Sequence, residues 1–144
     1  MKRAEAILFG ACAAIAAQAS LGCANGGPFT CDRSAEGNPP IRYTEGTAED
    51  GVYMSSPWEG DLLYFPGGTR YALEHKLGKA PRWVTSYLSF DREGTRASSL
   101  AQPAGNQVVI LDVNETTVTV ANDSCADYWL LVTAGSGAEP TPPP

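Results

Sequence analysis

The chain has 144 residues, 43% of them hydrophobic, and its 10 Lys and Arg against 16 Asp and Glu give a formal net charge of −6. That length fits one domain. The basic residues form no stripe or block, which excludes recognition of nucleic acid through its phosphates as the organising function.

Lys2 and Arg3 open the chain with positive charge, and residues 6–17 (AILFGACAAIAA) are an apolar run of the length found in the core of a signal peptide. Gln18 and Ser20 end the run short of the roughly 20 apolar residues that a membrane-spanning helix needs. Residues 1–22 therefore read as an export signal. Two cleavage sites are open. Ala17-Gln18-Ala19 has the small-x-small form accepted by a general signal peptidase, which would release a chain starting at Ser20. Ser20-Leu21-Gly22-Cys23 resembles the lipobox of bacterial lipoproteins, with Ser20 and Leu21 in swapped order relative to that family's pattern. The resemblance implies that Cys23 is acylated and becomes the mature N-terminus, and Ala24 after it implies the outer membrane. Two or three acyl chains hold a protein on a membrane stably where one is marginal.

Cysteine counting bears on the choice. Cys12 falls inside the signal. Cleavage after Ala19 leaves three cysteines in an oxidising compartment, whereas acylation of Cys23 leaves Cys31 and Cys125 as a pair. Their disulfide would close a loop of 93 residues, worth about 4–5 kcal/mol in the chain-entropy picture. Without the signal the chain carries 8 basic and 15 acidic residues, about −7, spread without blocks.

Residues 23–50 are rich in Gly, Pro, Asn, Asp and Glu, with Phe29 and Ile41-Arg42-Tyr43 as apolar anchors, and read as a tether and an irregular lead-in. From 51 to 134 the pattern changes to a period of two with β-branched and aromatic enrichment. The spacing predicts strands over 51–54, 61–65, 69–74, 82–90, 107–113, 116–121 and 128–133. In the fourth, Val84, Leu88 and Phe90 share one face, with Trp83, Thr85 and Tyr87 on the other. The fifth is apolar on both faces and reads as a central strand. Asn114-Glu115 predicts a tight turn and Pro66-Gly67-Gly68 a second reversal. Val118 and Val120 should point inward, with the intervening threonines outward. The expected fold is all-β, a single small antiparallel β-sandwich of about seven strands, followed over residues 135–144 (GSGAEPTPPP) by a disordered Pro-rich tail.

The most patterned stretch is His75-x-Leu77-Gly78-x-x-Pro81-x-x-Val84-x-x-Tyr87-Leu88. It resembles a strand, turn, strand unit of the β-sandwich modules of phage tail and receptor-binding proteins and of uncharacterised bacterial envelope lipoproteins. Thr116-x-Val118-x-Val120-x-Asn122-Asp123 to Tyr128-Trp129-Leu130 resembles their closing hairpin, so the likeness covers residues 69–133. Each of these residues also has a packing explanation: Leu77 would plug the core, Gly78 would take a backbone angle other residues avoid, and Pro81 would precede a strand where no ladder bond is donated.

His75 is the sole histidine. A hydrolase could be built from it with Asp61 or Asp91 and a serine, but the Gly-x-Ser-x-Gly elbow is missing. A zinc site needs more His and Cys ligands than the mature chain offers, so no metal or cofactor is expected. Glu59, Asp61 and Glu74 are the carboxylates from which a glycosidase-type pair would have to come. For ligand binding, Trp58, Tyr64, Tyr71, Trp83 and Tyr87 are the aromatic candidates for a platform that stacks on a sugar ring, with His75 in a neighbouring loop. Asn114-Glu115-Thr116 and Asn122-Asp123-Ser124 have the form of glycosylation sequons and read here as turn chemistry. The sequence thus predicts a lipid-anchored, disulfide-stapled envelope protein, a structural or interaction module without catalysis. Its partners would be the membrane through the lipid and an envelope protein; the alternative is a glycan-binding surface module.

Overall fold

The computed structural model describes residues 34–137 apart from 95 and 98. The export signal over 1–22, Cys23, Cys31 and most of the Pro-rich tail lie outside the described residues. Nine strands and no helix occupy the described part: β1 (Ile41–Tyr43), β2 (Thr47–Glu49), β3 (Val52–Met54), β4 (Leu63–Phe65), β5 (Arg70–Glu74), β6 (Trp83–Ser89), β7 (Val109–Val113), β8 (Thr117–Ala121) and β9 (Tyr128–Gly135). They form two sheets, one of order β1-β5-β8-β7 and one in which β9 is central. In the second sheet β6 pairs along β9 from Trp129 to Gly135, while β3 and β4 share its opposite edge end to end, against 133–135 and 128–130.

The two sheets bury one core. Leu73, Val118 and Val120 come from the first and Tyr53, Phe65, Leu88, Tyr128, Leu130, Val132 and Ala134 from the second. Alternation explains the choice, because the odd positions of β9 point to the opposite face from Leu130 and Val132. In β8 the valines are fully buried and the threonines are not, as their pattern predicts.

All seven predicted strands are present, with four corrections. The segment expected to be irregular contains β1 and β2. They are short and mostly exposed, so what holds them is pairing: β1 runs parallel to β5 and β2 antiparallel to β3. The sheets are therefore not purely antiparallel, and the strand count is nine. β7 is an edge strand rather than a central one, joined only to β8 with an irregularity between Ile110 and Asp112; its apolar character on both faces leaves Ile110, Leu111 and Val113 substantially exposed. β9 continues into the expected tail, since Ala134 belongs to the core and Gly135 pairs with both Val52 and Trp83.

The turns are set by specific side chains. Thr69 N–H donates to Pro66 carbonyl and Gly68 has φ 80°, which is the type II pattern that requires glycine at its third position. The β7–β8 turn has no glycine and neither of its central residues has positive φ; instead Asn114 Oδ1 accepts from the backbone N–H groups of Thr116 and Thr117, each at 2.9 Å. Asn122 is buried and fully bonded. Its amide nitrogen donates to the carbonyls of Phe65 (3.0 Å) and Ala126 (2.8 Å), and its Oδ1 accepts from Ser124 N–H (3.1 Å) and hydroxyl (2.6 Å). Both sequons are thus turn devices in the folded chain.

Candidate functional site

The sequence candidates separate into three places. His75 lies in the interior with no exposed surface. Leu77 N–H donates to its Nδ1 (3.2 Å), which leaves Nε2 to carry the proton and donate to the Asn114 carbonyl (3.0 Å). The ring ties the end of β5 to the β7–β8 turn and faces no solvent. A ligand contact for His75 is therefore corrected to a structural tie, because both ring nitrogens are already occupied. Tyr71 also leaves the platform. It sits two residues before the core residue Leu73 on β5, stacks on buried Phe65 at 5.9 Å, and donates its hydroxyl to the Tyr64 carbonyl. Burial raises its phenol above the ordinary range.

Trp83, Tyr87 and Trp58 are brought to the outer face of the β9-centred sheet. Trp83 and Tyr87 alternate outward along β6, opposite Gly135 and Leu131. Trp83 lies against Gly135 so closely that a Cβ there would be 2.4 Å from the indole, and its Nε1 is buried without a hydrogen-bond partner. It fills the space a glycine leaves and is half-buried. Tyr87 makes an edge-to-face pair with Trp58 at 5.6 Å, and Trp58 is 46% exposed.

Trp58 belongs to the segment that joins β3 to β4, and that segment is well tied. Ser55 N–H donates to Val132 carbonyl (2.9 Å) and Val132 N–H to Ser55 Oγ (2.9 Å), which closes the ladder of β9 where β3 has ended and β4 has not begun. Tyr87 stands beyond β9 from these anchors, so the segment crosses the outer face, and Leu131 beneath it is fully buried. At its far end Leu62 N–H donates to Arg92 carbonyl, and the Leu62 side chain packs on Gly94, where a Cβ would come within 2.2 Å. Asp61 completes the clasp: its Oδ2 meets Arg92 and its Oδ1 meets Arg96, each at 2.9 Å.

A second aromatic pair stands beside this clasp. Tyr64 of β4 and Trp129 of β9 are direct cross-strand neighbours on the outer face, with ring centroids 5.0 Å apart, and the Arg92 guanidinium lies 5.8 Å from the Trp129 ring. Tyr64 is 45% exposed, and its hydroxyl donates to Asp127 Oδ2 (2.9 Å), whose other oxygen accepts from Gly67 N–H (3.0 Å). The Gly67 bond, then the Tyr64 bond, hold the Asp127 carboxyl below its ordinary value, and the same contact raises the Tyr64 phenol. Between β4 and the crossing segment opens a cleft of about 320 Å³, walled by Tyr43, Glu45, Ser56, Asp61, Tyr64 and Arg92 among others. Trp129 was legible as an outward residue from the alternation of its strand; Arg92 carried no sequence signal.

The three carboxylate candidates do not form one cluster. Glu74 is ion-paired with Arg42 on the other sheet, Asp61 is engaged by its two arginines, and Glu59 is exposed. Among the described residues no group of three His, Cys, Asp or Glu is placed to hold a metal. Cys125 is exposed and disulfide-bonded, while its expected partner Cys31 lies outside the described residues. Comparison with protein-family models, curated proteins and solved structures finds no match to this chain.

Proposed function

We propose that this chain is an exported, lipid-anchored bacterial envelope protein that works without catalysis, as an interaction module presenting the outer face of its β9-centred sheet. The observation that carries the reading is that the Trp58–Tyr87 pair, whose Trp58 belongs to the clasped segment, and the Tyr64–Trp129 pair beside the clasp share that outer face, at 46% and 45% exposure for Trp58 and Tyr64. Aromatic rings with part of their surface open are costly to leave in water and are enriched in binding surfaces. Export and anchoring are supported by the signal-like residues 1–22 and by Cys23, and pairing of Cys31 with the bonded Cys125 would staple the tether to the domain. The test has two arms. Intact mass of the protein extracted from membranes should show cleavage, acylation at Cys23 and oxidised Cys31 and Cys125; unprocessed protein in the cytosol with reduced thiols would overturn the export reading. In-cell crosslinking should capture an envelope component that a Trp58→Ala, Tyr64→Ala variant loses; an unchanged captured set would overturn the assignment of the face.

A saccharide is the second reading, favoured by the polar cleft that adjoins the Tyr64 ring. Glycan-array binding that Tyr87→Ala and Trp58→Ala weaken would support it over a protein contact.

A further inference from the structure

The crossing segment serves more than cover for Leu131, because its polar groups line a space that the fold keeps open. We infer that the cleft between β4 and residues 55–62 is the subsite for a single uncharged sugar ring, an inference that rests on the saccharide reading above. Its volume, about 320 Å³, lies at the small end of the range for small-molecule sites, roughly 300–1,000 Å³. That suits one ring rather than a chain.

The chemistry of the walls selects the ligand class. Asp61 lies 2.9 Å from both Arg92 and Arg96, and with Glu45 in the wall the two carboxylates balance the two guanidiniums, so the cleft calls for neither a bound cation nor a bound anion. Charge pairing does not exhaust these groups: a carboxylate has about four acceptor sites and a guanidinium five donors. A vicinal diol, with one hydroxyl donating and its neighbour accepting, spans such a pair. Glu45 supplies a second acceptor in the wall, and Ser56 carries a buried hydroxyl that the folded chain leaves without a partner. Tyr64 supplies the apolar surface. Its ring is fixed at both ends, by Trp129 at 5.0 Å and by the bond from its hydroxyl to Asp127 at 2.9 Å, so it is held ready to pack against the C–H face of a pyranose.

Preorganisation completes the argument. The segment is anchored at Ser55, Trp58, Asp61 and Leu62, so binding would order little further chain and lose little entropy.

The test is titration of the folded protein with methyl glycosides of glucose, galactose, mannose and N-acetylglucosamine, and with their oligosaccharides, followed by Trp129-sensitive fluorescence and by calorimetry. Wild type should bind at least one of these. Tyr64→Ala and the more conservative Asp61→Asn should each weaken it about tenfold or more, about 1.4 kcal/mol, with the thermal melt confirming that both variants fold. Binding by wild type that both variants retain in full would overturn the cleft assignment and leave the saccharide reading standing. No binding of any of these probes by wild type would overturn the saccharide reading and the subsite with it.

Discussion

Asn122 offers the sharpest test of how the fold is held. It is 1% exposed, and its one amide makes four hydrogen bonds, two from Nδ2 to the carbonyls of Phe65 and Ala126 and two at Oδ1 from Ser124. Through them the 122–126 loop is joined to the end of β4. At about 1 kcal/mol net for each bond, Asn122→Ala should cost about 3–4 kcal/mol, a large part of the roughly 5–15 kcal/mol typical of a domain. Urea unfolding followed by the fluorescence of the three tryptophans should show a lower midpoint at unchanged slope, and the thermal midpoint should fall by about 15 °C or more. Asn122→Asp separates donor from acceptor. It keeps an oxygen for Ser124 but turns a second oxygen on two carbonyls, so at pH 7 it should cost at least as much as alanine. Protonation restores a donor, and the deficit should shrink as pH falls through the raised folded pKa of that carboxyl. A loss below about 1 kcal/mol for both variants would refute the claim that this amide organises the loop.

Gly135→Ala should cost about 1–3 kcal/mol by overpacking and change the near-UV circular dichroism, because its Cβ would stand 2.4 Å from the Trp83 ring; an unchanged spectrum would place Trp83 elsewhere. His75→Ala should cost about 3 kcal/mol and speed amide exchange at Leu77, which donates to the imidazole; unaltered exchange would remove the tie. Burial pushes the Tyr53 phenol far above its ordinary value of 10. The associated stability is complete below pH about 10 and is lost as pH rises toward the folded pKa, so the protein should weaken in alkali. Tyr53→Phe should abolish that dependence at almost no cost near neutrality, since its hydroxyl has no partner; a large loss at pH 7 would reveal one. Asp127 behaves oppositely: its carboxyl titrates below its ordinary value of 3.8, so its contribution holds above about pH 4 and disappears as pH falls through the lower folded value, which proton-coupled NMR shifts would follow.

Periodicity within a strand was readable because a strand must put alternate residues on opposite faces. The inward Val118 and Val120 of β8, and the separation of Leu88 from Trp83 and Tyr87 on opposite faces of β6, follow from that rule. Punctuation was readable for the same local reason: Pro66-Gly67-Gly68 and Asn114 carry their turn chemistry with them. Order within a sheet is not local. β7 is apolar on both faces as a central strand would be, yet it lies at the edge, since nothing in Val109–Val113 says which strand will be its neighbour. β1 and β2 were hidden because three-residue strands are too short to show a periodicity. They are held by pairing with β5 and β3, and distant side chains reach the same stretch: Arg42 meets Glu74, and Lys76 Nζ donates to the carbonyls of Thr44 (2.7 Å) and Gly46 (2.8 Å).

By itself the sequence determined the all-β character, seven of the nine strands, the turn residues and which side chains of β6 share a face, because each depends on neighbours a few positions apart. Only the tertiary structure decided that His75 is enclosed, that Tyr71 belongs with the core, and that Asp61 meets Arg92 and Arg96 beside Tyr64. The His75 tie to Asn114 and the Asp61 clasp join residues more than 30 positions apart, and the clasp exists because β9 holds β3 and β4 end to end along one edge, so that the chain between them must cross the sheet.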